Sequence, residues 1–436
     1  LSDYQYSWIW TSILNVWTLG YLVGSFLSPI FTERFGRRPT LIGANSVSFF
    51  GTILAVISVI CALPELLFAA RTCSAMMSGI SYGSLILFLQ ETTPTEIRGM
   101  TSFLSETTYV GISMMGMSFG MNLVLGQHLP FLIGIHTIAA TIVVILVCCL
   151  EETPKYLLIK RNDREAALKS LEFYRGATDE NQKVMDSIEK EAKEGFAAPF
   201  PASISIILRT RHLRQAFLVG FCCMQVMLTI VPISYVSTTF LRAHFSLEMA
   251  QLFSFVFASC NFVSSIFGLL AVDRFGRRPM LLFFGFLNVF FLSSYCVFDR
   301  LAINVNTQFR YGCVISLLGY GITYGSALGP IAFFITSELV PQHFRSAVQA
   351  MVFSVNAIFI FTFSFSTLPL YRWINVWSMV PLFIIPSLMA LTYVFFNLPE
   401  TKGREIHEIV RELAGGHTIS PEANRTKDHS MVIENQ

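Results

Sequence analysis

Long apolar stretches alternate with short polar segments along most of the chain, and this pattern predicts eleven helices that span a membrane. Each stretch has about the ~20 apolar residues that an α-helix needs to cross the core of a bilayer. The expected spans lie at roughly residues 6–31, 40–61, 66–89, 100–125, 129–150, 215–241, 247–272, 279–298, 310–337, 346–367 and 374–398. We therefore expect an all-α membrane protein that crosses a lipid bilayer many times.

Two parts of the chain are too polar to span a membrane. Within the first, the portion Arg164–Lys193 places Leu, Ile and Met among Glu and Lys at helical spacing, which predicts short amphipathic surface helices. The chain thus divides into an N-terminal transmembrane bundle at 1–150, a cytoplasmic helical insert at 151–214, a C-terminal transmembrane bundle at 215–398 and a tail at 399–436. The tail should begin as a short helix and be disordered from about Gly415.

The composition agrees with a membrane protein and argues against other classes. Hydrophobic residues make up 53% of the chain and the mean hydropathy is +0.58, while charged residues make up only 13%. The formal net charge of +2 gives no large basic face for nucleic acid. The nine cysteines lie in apolar runs without the spacing of a metal site or a disulfide framework. Because P-loop and HExxH motifs are absent from the sequence, we expect neither an enzyme nor a bound cofactor or metal.

One short motif occurs twice and indicates how the chain is oriented. Glu33–Pro39 (ERFGRRP) is matched 240 positions later by Asp273–Pro279 (DRFGRRP), and each copy joins two apolar stretches. Basic loops of this kind stay on the cytoplasmic side of a membrane. With both loops inside, all but five of the 30 Lys and Arg residues are cytoplasmic. This placement predicts a cytoplasmic C-terminus and an external Leu1.

The repeat extends beyond the basic loops. Glu91–Arg98 (ETTPTEIR) and Glu338–Arg345 (ELVPQHFR) share the pattern ExxPxxxR, 247 positions apart. Glu152–Lys155 (ETPK) ends the first half and Pro399–Arg404 (PETKGR) ends the second. The same motifs in the same order predict two parallel repeats related by an axis normal to the membrane. Since the first half has five spans and the second has six, we expect one further helix to precede this chain.

In this combination the motifs resemble those of the major facilitator superfamily, and specifically of the sugar porter family that includes the facilitative glucose transporters. The resemblance runs from about Tyr6 to Glu408. It implies a fold of two pseudo-repeated six-helix bundles, of which eleven helices are present here. It also implies a secondary transporter that moves a small polar solute, by default a sugar or polyol, by alternating access. The plasma membrane is the default location, since no retrieval signal is evident in the sequence.

The resemblance places the acids and arginines of the motifs in a charge network at the cytoplasmic ends of the helices. Arginine binds carboxylates through a planar fork, and helix ends leave backbone groups free. The network would hold the outward-open form and separate when the protein opens inward. The alternative is that these residues only mark topology and anchor helix ends. The expected members are Glu33, Arg37, Arg38, Glu91, Arg98, Glu152, Asp273, Arg277, Arg278, Glu338, Arg345 and Glu400.

Two charged residues inside the predicted spans are candidates for function, because a charge at mid-bilayer costs about 2.5–3.5 kcal/mol or more. Glu106 lies eight residues beyond Arg98, or ~12 Å along a helix. In sugar porters the matching position is a glutamine that hydrogen-bonds the sugar. A carboxylate can accept from hydroxyls, attract a cation or carry a proton; the alternative is a structural pair. The resemblance makes Arg71 a candidate for proton coupling, with a snorkelling arginine as the alternative.

The resemblance implies further solute-site candidates in the second half. Gln225, Asn261 and Asn356 match asparagine and glutamine positions of the family's sugar site. Phe333 and Ala357 lie where the family has large tryptophans. Buried amides suit ligands with many hydroxyl groups. The alternative for each amide is a hydrogen bond between helices.

Two other functions fit parts of the pattern. An organic cation or anion carrier of the same superfamily shares the basic loops, and Glu106 would favour cations, but PETKGR is typical of sugar porters. A non-transporting nutrient sensor usually has a long cytoplasmic tail, whereas only 38 residues follow Leu398. Besides the solute and the lipid bilayer, protons are a partner to test.

Overall fold

The computed structural model describes residues 3–94, 98–178, 180–194, 200–402, 404 and 406–413, and this part of the chain consists of helices joined by short turns. The expected all-α fold class is confirmed. The tail beyond residue 413, including the segment expected to be disordered from Gly415, lies outside the described residues.

The N-terminal half consists of five long helices. α3 packs against both α1 and α2, and α5 packs against α2. Their bounds are α1 Asp3–Phe35, α2 Arg37–Ile60, α3 Pro64–Thr92, α4 Arg98–Gly120 and α5 Leu129–Cys148.

Four shorter helices form the insert between the halves. They are α6 Pro154–Ile159, α7 Arg164–Arg175, α8 Glu180–Glu194 and α9 Phe200–Arg209. Asp163 caps α7, because its side chain accepts a hydrogen bond of 3.0 Å from the backbone N–H of Ala166. Leu158, Leu171 and Met185 form part of a small core between α6, α7 and α8. The apolar positions at helical spacing are therefore the buried face of the insert.

The C-terminal half has more interruptions than the N-terminal half. A π-turn at Tyr324–Leu328 separates α14 from α15, and Pro330 lies in the first turn of α15. A second π-turn at Val380–Ile384 precedes α17. The helices are α10 Arg211–Leu228, α11 Ile230–Arg242, α12 Leu247–Phe275, α13 Arg277–Asn304, α14 Arg310–Thr323, α15 Gly329–Glu338, α16 Gln342–Ile374, α17 Ile385–Asn397 and, after the bundle, α18 Ile406–Leu413.

Among the described residues, nine helices are long and apolar enough to cross a membrane by length and composition. The predicted spans at 6–31 and 100–125 correspond to α1 and α4, which are not among these nine. In α4 the hydropathy is lowered by polar residues such as Glu106 and Thr107. Both are buried, so α4 directs polar side chains towards the inside of the bundle.

Two predicted boundaries are wrong. The span expected at 346–367 continues as α16 to Ile374, with Pro369 inside the helix. The span expected at 374–398 starts with a 3₁₀ turn and a π-turn, so its α-helix begins only at Ile385. Both differences occur near prolines, which remove one backbone hydrogen bond without necessarily ending a membrane helix.

Small residues allow α1 and α3 to approach closely, as the spacing of Gly20 and Gly24 suggests. A β-carbon on Gly20 would lie 2.7 Å from the β-carbon of Ala75. A β-carbon on Gly79 would lie 2.5 Å from the carbonyl oxygen of Tyr21. Larger residues would push the two helices apart.

Candidate solute site and motif clusters

A central cavity of about 280 Å³ lies between the two halves. Its walls come from α1, α3 and α4 on one side and from α10, α11, the Tyr324–Leu328 turn, α15 and α16 on the other. The volume is at the small end of the ~300–1,000 Å³ range of small-molecule sites. The cavity therefore suits one small solute that contacts both halves.

Glu106 lines this cavity and is only 1% exposed. Its Oε1 atom accepts a hydrogen bond of 3.0 Å from the hydroxyl of Tyr324. Its Oε2 atom is buried and has no hydrogen-bond partner among the described residues. Glu106 is thus placed in the cavity and is also bonded to the opposite half.

Asn356 is the second polar candidate in the cavity wall. Its Oδ1 atom accepts a hydrogen bond of 3.3 Å from Nε2 of Gln225. Gln225 is buried behind Asn356 and does not line the cavity. The pair leaves the amide N–H groups of Asn356 available to a solute, while Gln225 fixes the orientation of the Asn356 amide.

Of two further predicted site residues, Phe333 lines the cavity and Asn261 does not. Phe333 lines the cavity and forms edge-to-face contacts with Tyr82 and Phe353 at 5.8 and 5.7 Å between ring centroids. Asn261 is buried in α12 but does not line the cavity. A β-carbon on Gly325 would lie 2.7 Å from Asn261 Oδ1, so this amide faces the π-turn.

Arg71 is half-buried in α3 and also lies outside the cavity wall. It is close enough to Tyr235, which does line the cavity, for an electrostatic interaction. The structure therefore places Arg71 behind a wall residue and not in contact with the cavity.

Most aromatic residues of the cavity were not predicted. Five tyrosines line it, and Tyr109 and Tyr235 are 50% and 64% exposed at its edge. The spacing gave one signal, since Tyr109 follows Glu106 by three residues and must share its helix face. The five are Tyr21, Tyr82, Tyr109, Tyr235 and Tyr324.

The first-half motifs meet in what we call the N-terminal motif cluster, formed by Arg37, Arg38, Glu91 and Glu152. Arg37 pairs with Glu91 at 2.6 Å, and Arg38 donates to the carbonyl of Cys148 at 2.7 Å. The Glu152 carboxylate accepts from the backbone N–H groups of Arg37 and Arg38 at 3.2 Å. It therefore caps the N-terminus of α2, because the N-cap residue, a glycine, has no side chain to do so.

Burial dominates the electrostatics of the Glu152 carboxyl. It raises the pKa of Glu152 above the ordinary value, although the N–H groups of Thr153 and Arg38 and the charge of Arg37 act in the opposite direction.

The C-terminal motif cluster, formed by Arg277, Arg278, Glu338 and Glu400, repeats this arrangement. Glu400 accepts from the backbone N–H groups of Arg277 and Arg278 at 3.0 and 3.1 Å, and so caps α13. Arg278 donates to the carbonyl of Phe395 at 2.8 Å. Arg277 Nε lies 3.6 Å from Glu338, and the buried Arg345 interacts electrostatically with the same carboxylate.

Each cluster joins residues of one half only. The half-buried Glu33 takes part in none of the ion pairs that the structure describes. The side chains of Arg98 and Asp273 lie outside the described part of the structure. The clusters therefore connect helices within a half, in contrast to the Glu106–Tyr324 bond, which connects the halves.

The glycine of each basic loop has a conformation that other residues avoid. Gly36 and Gly276 have φ angles of 103° and 91°. A β-carbon on Gly276 would lie 2.9 Å from Glu400 Oε2, and one on Gly36 would clash with Glu152. The glycine thus allows both the turn and the approach of the capping carboxylate.

Comparison with known proteins shows to which family the chain belongs. The model of a family described as "Sugar (and other) transporter" matches residues 2–413. The chain belongs to this family. Among curated relatives, facilitated glucose transporter member 1 of Gallus gallus is 25% identical over 438 residues, with 98% of this chain and 87% of the relative covered. Member 14 of Homo sapiens is 26% identical, covering 93% and 78%.

Solved structures of the major facilitator superfamily have the same fold. The proton:xylose symporter XylE, bound to 6-bromo-6-deoxy-D-glucose, superposes with a TM-score of 0.77 at 16% identity, covering 94% of this chain and 90% of XylE. The transporter FucP, in an outward conformation, gives a TM-score of 0.54 at 13% identity, covering 96% and 91%. The predicted sugar porter resemblance and the superfamily fold are therefore confirmed, and the protein is an integral multi-pass membrane protein.

Proposed function

We propose that this protein is a secondary transporter that moves a small sugar or polyol by alternating access at the central cavity. The observation that carries the proposal is a cavity of about 280 Å³ whose walls come from both halves and combine an amide, hydroxyls and aromatic rings. Such walls suit a solute with several hydroxyl groups and apolar C–H faces. Because relatives are facilitated glucose transporters and a xylose symporter, hexoses and pentoses are the first solutes to test.

Three residues would contact the sugar directly. Asn356, held by Gln225, would donate to a hydroxyl, and Phe333 would pack against the ring. Glu106 would accept from the solute through its unpartnered Oε2 atom. Gln225 would act by positioning Asn356, while Asn261 would support the π-turn of the Tyr324–Leu328 segment.

The contacts of the two halves support a rocking movement. We take the bundles at 1–150 and 215–398 as the moving units, because each motif cluster joins helices within one of them. The Glu106–Tyr324 hydrogen bond joins the units, and so it would have to break when they rotate apart.

The basic loops define the orientation that we propose. They would face the cytoplasm together with the insert and the C-terminal tail, and the protein would lie in the plasma membrane. The relative XylE is a proton symporter, so protons are a second partner to test here. Arg71, behind Tyr235, is the arginine to examine for such coupling.

The test is uptake of labelled hexoses, pentoses and polyols by the purified full-length protein in proteoliposomes, with and without a proton gradient. Asn356→Ala should raise the KM of the transported sugar about five- to tenfold, the cost of about one hydrogen bond. Asn304→Ala, at an exposed helix end away from the cavity, is the matched control and should leave KM unchanged. Uptake no faster than in protein-free liposomes for every sugar and polyol would overturn the proposal.

A further inference from the structure

We infer that the transported solute carries a protonated amine beside its hydroxyl groups, and that Glu106 binds this amine. The inference rests on the proposed function, because it names the class of sugar or polyol that the central cavity prefers.

Glu106 is the exception among the buried carboxylates. Three carboxylate side chains are buried in the described part of the chain, those of Glu106, Glu152 and Asp299. Glu152 accepts from backbone N–H groups, and Asp299 lies 2.7 Å from Nε2 of His244. Among the residues that the structure describes, Glu106 has only the Tyr324 hydroxyl as a partner, and its second oxygen has none. It is therefore the buried acid that lacks a nitrogen donor.

The missing donor is not supplied by the cavity wall. Among the described residues that line the cavity there is no Lys, Arg or His. A buried carboxylate without a counter-charge costs several kcal/mol, so such groups are normally paired. Because Glu106 lines the cavity, a solute bound there can supply the cation.

The tyrosines around Glu106 favour an ammonium group as the donor that the solute brings to this carboxylate. Tyr21, Tyr82, Tyr109 and Tyr324 all lie close enough to Glu106 for electrostatic interaction. An ammonium group has three donors and no acceptor, and the tyrosine hydroxyl oxygens near the carboxylate can accept those donors that Glu106 does not. The buried hydroxyl of Tyr82 also has no hydrogen-bond partner among the described residues, so it can bind a solute hydroxyl.

The competing explanation is a proton on Glu106. A protonated Oε2 would become a donor and would need an acceptor, and the buried hydroxyl of Tyr82, which has no partner among the described residues, could serve as one. A proton would neutralise the charge of Glu106 without any cation from the solute. The two explanations differ in which sugar they favour, and this difference is measurable.

Three probes that share one ring separate the explanations: D-glucose, D-glucosamine and N-acetyl-D-glucosamine. They carry a hydroxyl, an ammonium and a neutral amide at the same carbon. Their uptake is compared in proteoliposomes at a pH below the pKa of the amine. We expect the full-length protein to take up glucosamine with a kcat/KM at least about tenfold above that of either neutral probe, the lower end expected for a buried charge pair.

The variant Glu106→Gln should remove the preference, so that the ratio of the kcat/KM for glucosamine to that for either neutral probe falls to about one, whatever the overall rate of uptake. Glu248→Gln is the matched control, since Glu248 is exposed on α12 outside the cavity, and it should keep the preference. Glu106→Asp keeps the charge and should therefore retain part of the preference. It shows whether a loss in Glu106→Gln comes from the missing charge or from misfolding. Thermal unfolding of each variant verifies the fold independently of transport.

The outcomes distinguish this inference from the proposed function. Equal uptake of glucose and glucosamine by wild type and Glu106→Gln would overturn the inference and leave sugar transport intact. A proton-gradient dependence that Glu106→Gln abolishes, without any preference among the probes, would also overturn it in favour of a proton site. Uptake of ethanolamine but of none of the three sugars, lost in Glu106→Gln, would support ammonium binding and overturn the sugar transporter proposal.

Discussion

Replacing Glu152 by alanine should uncap α2 and destabilise the N-terminal half by about 2 kcal/mol. The carboxylate accepts from the backbone N–H groups of Arg37 and Arg38 at 3.2 Å and from that of Thr153 at 2.8 Å. Loss of a helix cap costs ~0.5–2 kcal/mol, and loss of a negative charge at a helix N-terminus a further ~0.3–1 kcal/mol. The cost of burying the carboxylate, which also raises its pKa, offsets part of this sum.

Thermal unfolding of the purified protein is the assay. A loss of about 2 kcal/mol in a unit of 150–250 residues lowers the midpoint by roughly 4–8 °C. Glu400→Ala should give a shift of similar size in the other half, because Glu400 accepts from Arg277 and Arg278 at 3.0 and 3.1 Å. The control is Glu151→Ala, which removes a neighbouring carboxylate that makes no described ion pair. A midpoint for Glu152→Ala equal to that of Glu151→Ala would refute the capping role.

Two further predictions concern the loop glycines and the amide pair. Gly276→Ala should lower the free energy of unfolding by about 1–3 kcal/mol, because its φ of 91° is strained for alanine and the new β-carbon would meet Glu400. Gly43→Ala is the control: this glycine lies in a helix with open space around it, so the change should be neutral or stabilising. Equal unfolding midpoints for the two variants would contradict the strain at Gly276. Gln225→Ala should weaken sugar binding about fivefold by releasing Asn356, measured as KM for uptake with thermal unfolding as the folding control. An unchanged KM would show that Asn356 needs no support.

The repeated motifs allowed the fold to be predicted in outline, but not the way in which they interact. ERFGRRP and DRFGRRP indicated tight loops, and the structure has a glycine with positive φ in each. The capping by Glu152 and Glu400 was not foreseen, because it depends on a segment more than 100 residues away closing over the start of a helix. The order of motifs along a sequence does not say how far apart they lie in the folded protein.

The cavity was predictable only in part. Glu106 was found because a charge in an apolar span requires an explanation, and Asn356 because it matches a sugar-site position of the resembling family; both line the cavity. Tyrosines in apolar spans are common and give no comparable signal, so the aromatic wall was missed. Asn261 has the same residue type as Asn356 but faces the π-turn, since helix rotation is set by packing that the sequence pattern does not contain.

Alternating access requires that one cavity is reached from each side of the membrane in turn, and cysteine accessibility at Ser78, a cavity residue of α3, measures this. Ser78→Cys is labelled with a membrane-impermeant thiol reagent in vesicles of either orientation, and the wild-type chain with its nine cysteines gives the background. We predict labelling of the new cysteine from each side, slowed from both sides by the transported sugar. Labelling from one side only, or labelling that no transported sugar affects, would contradict alternating access at this cavity.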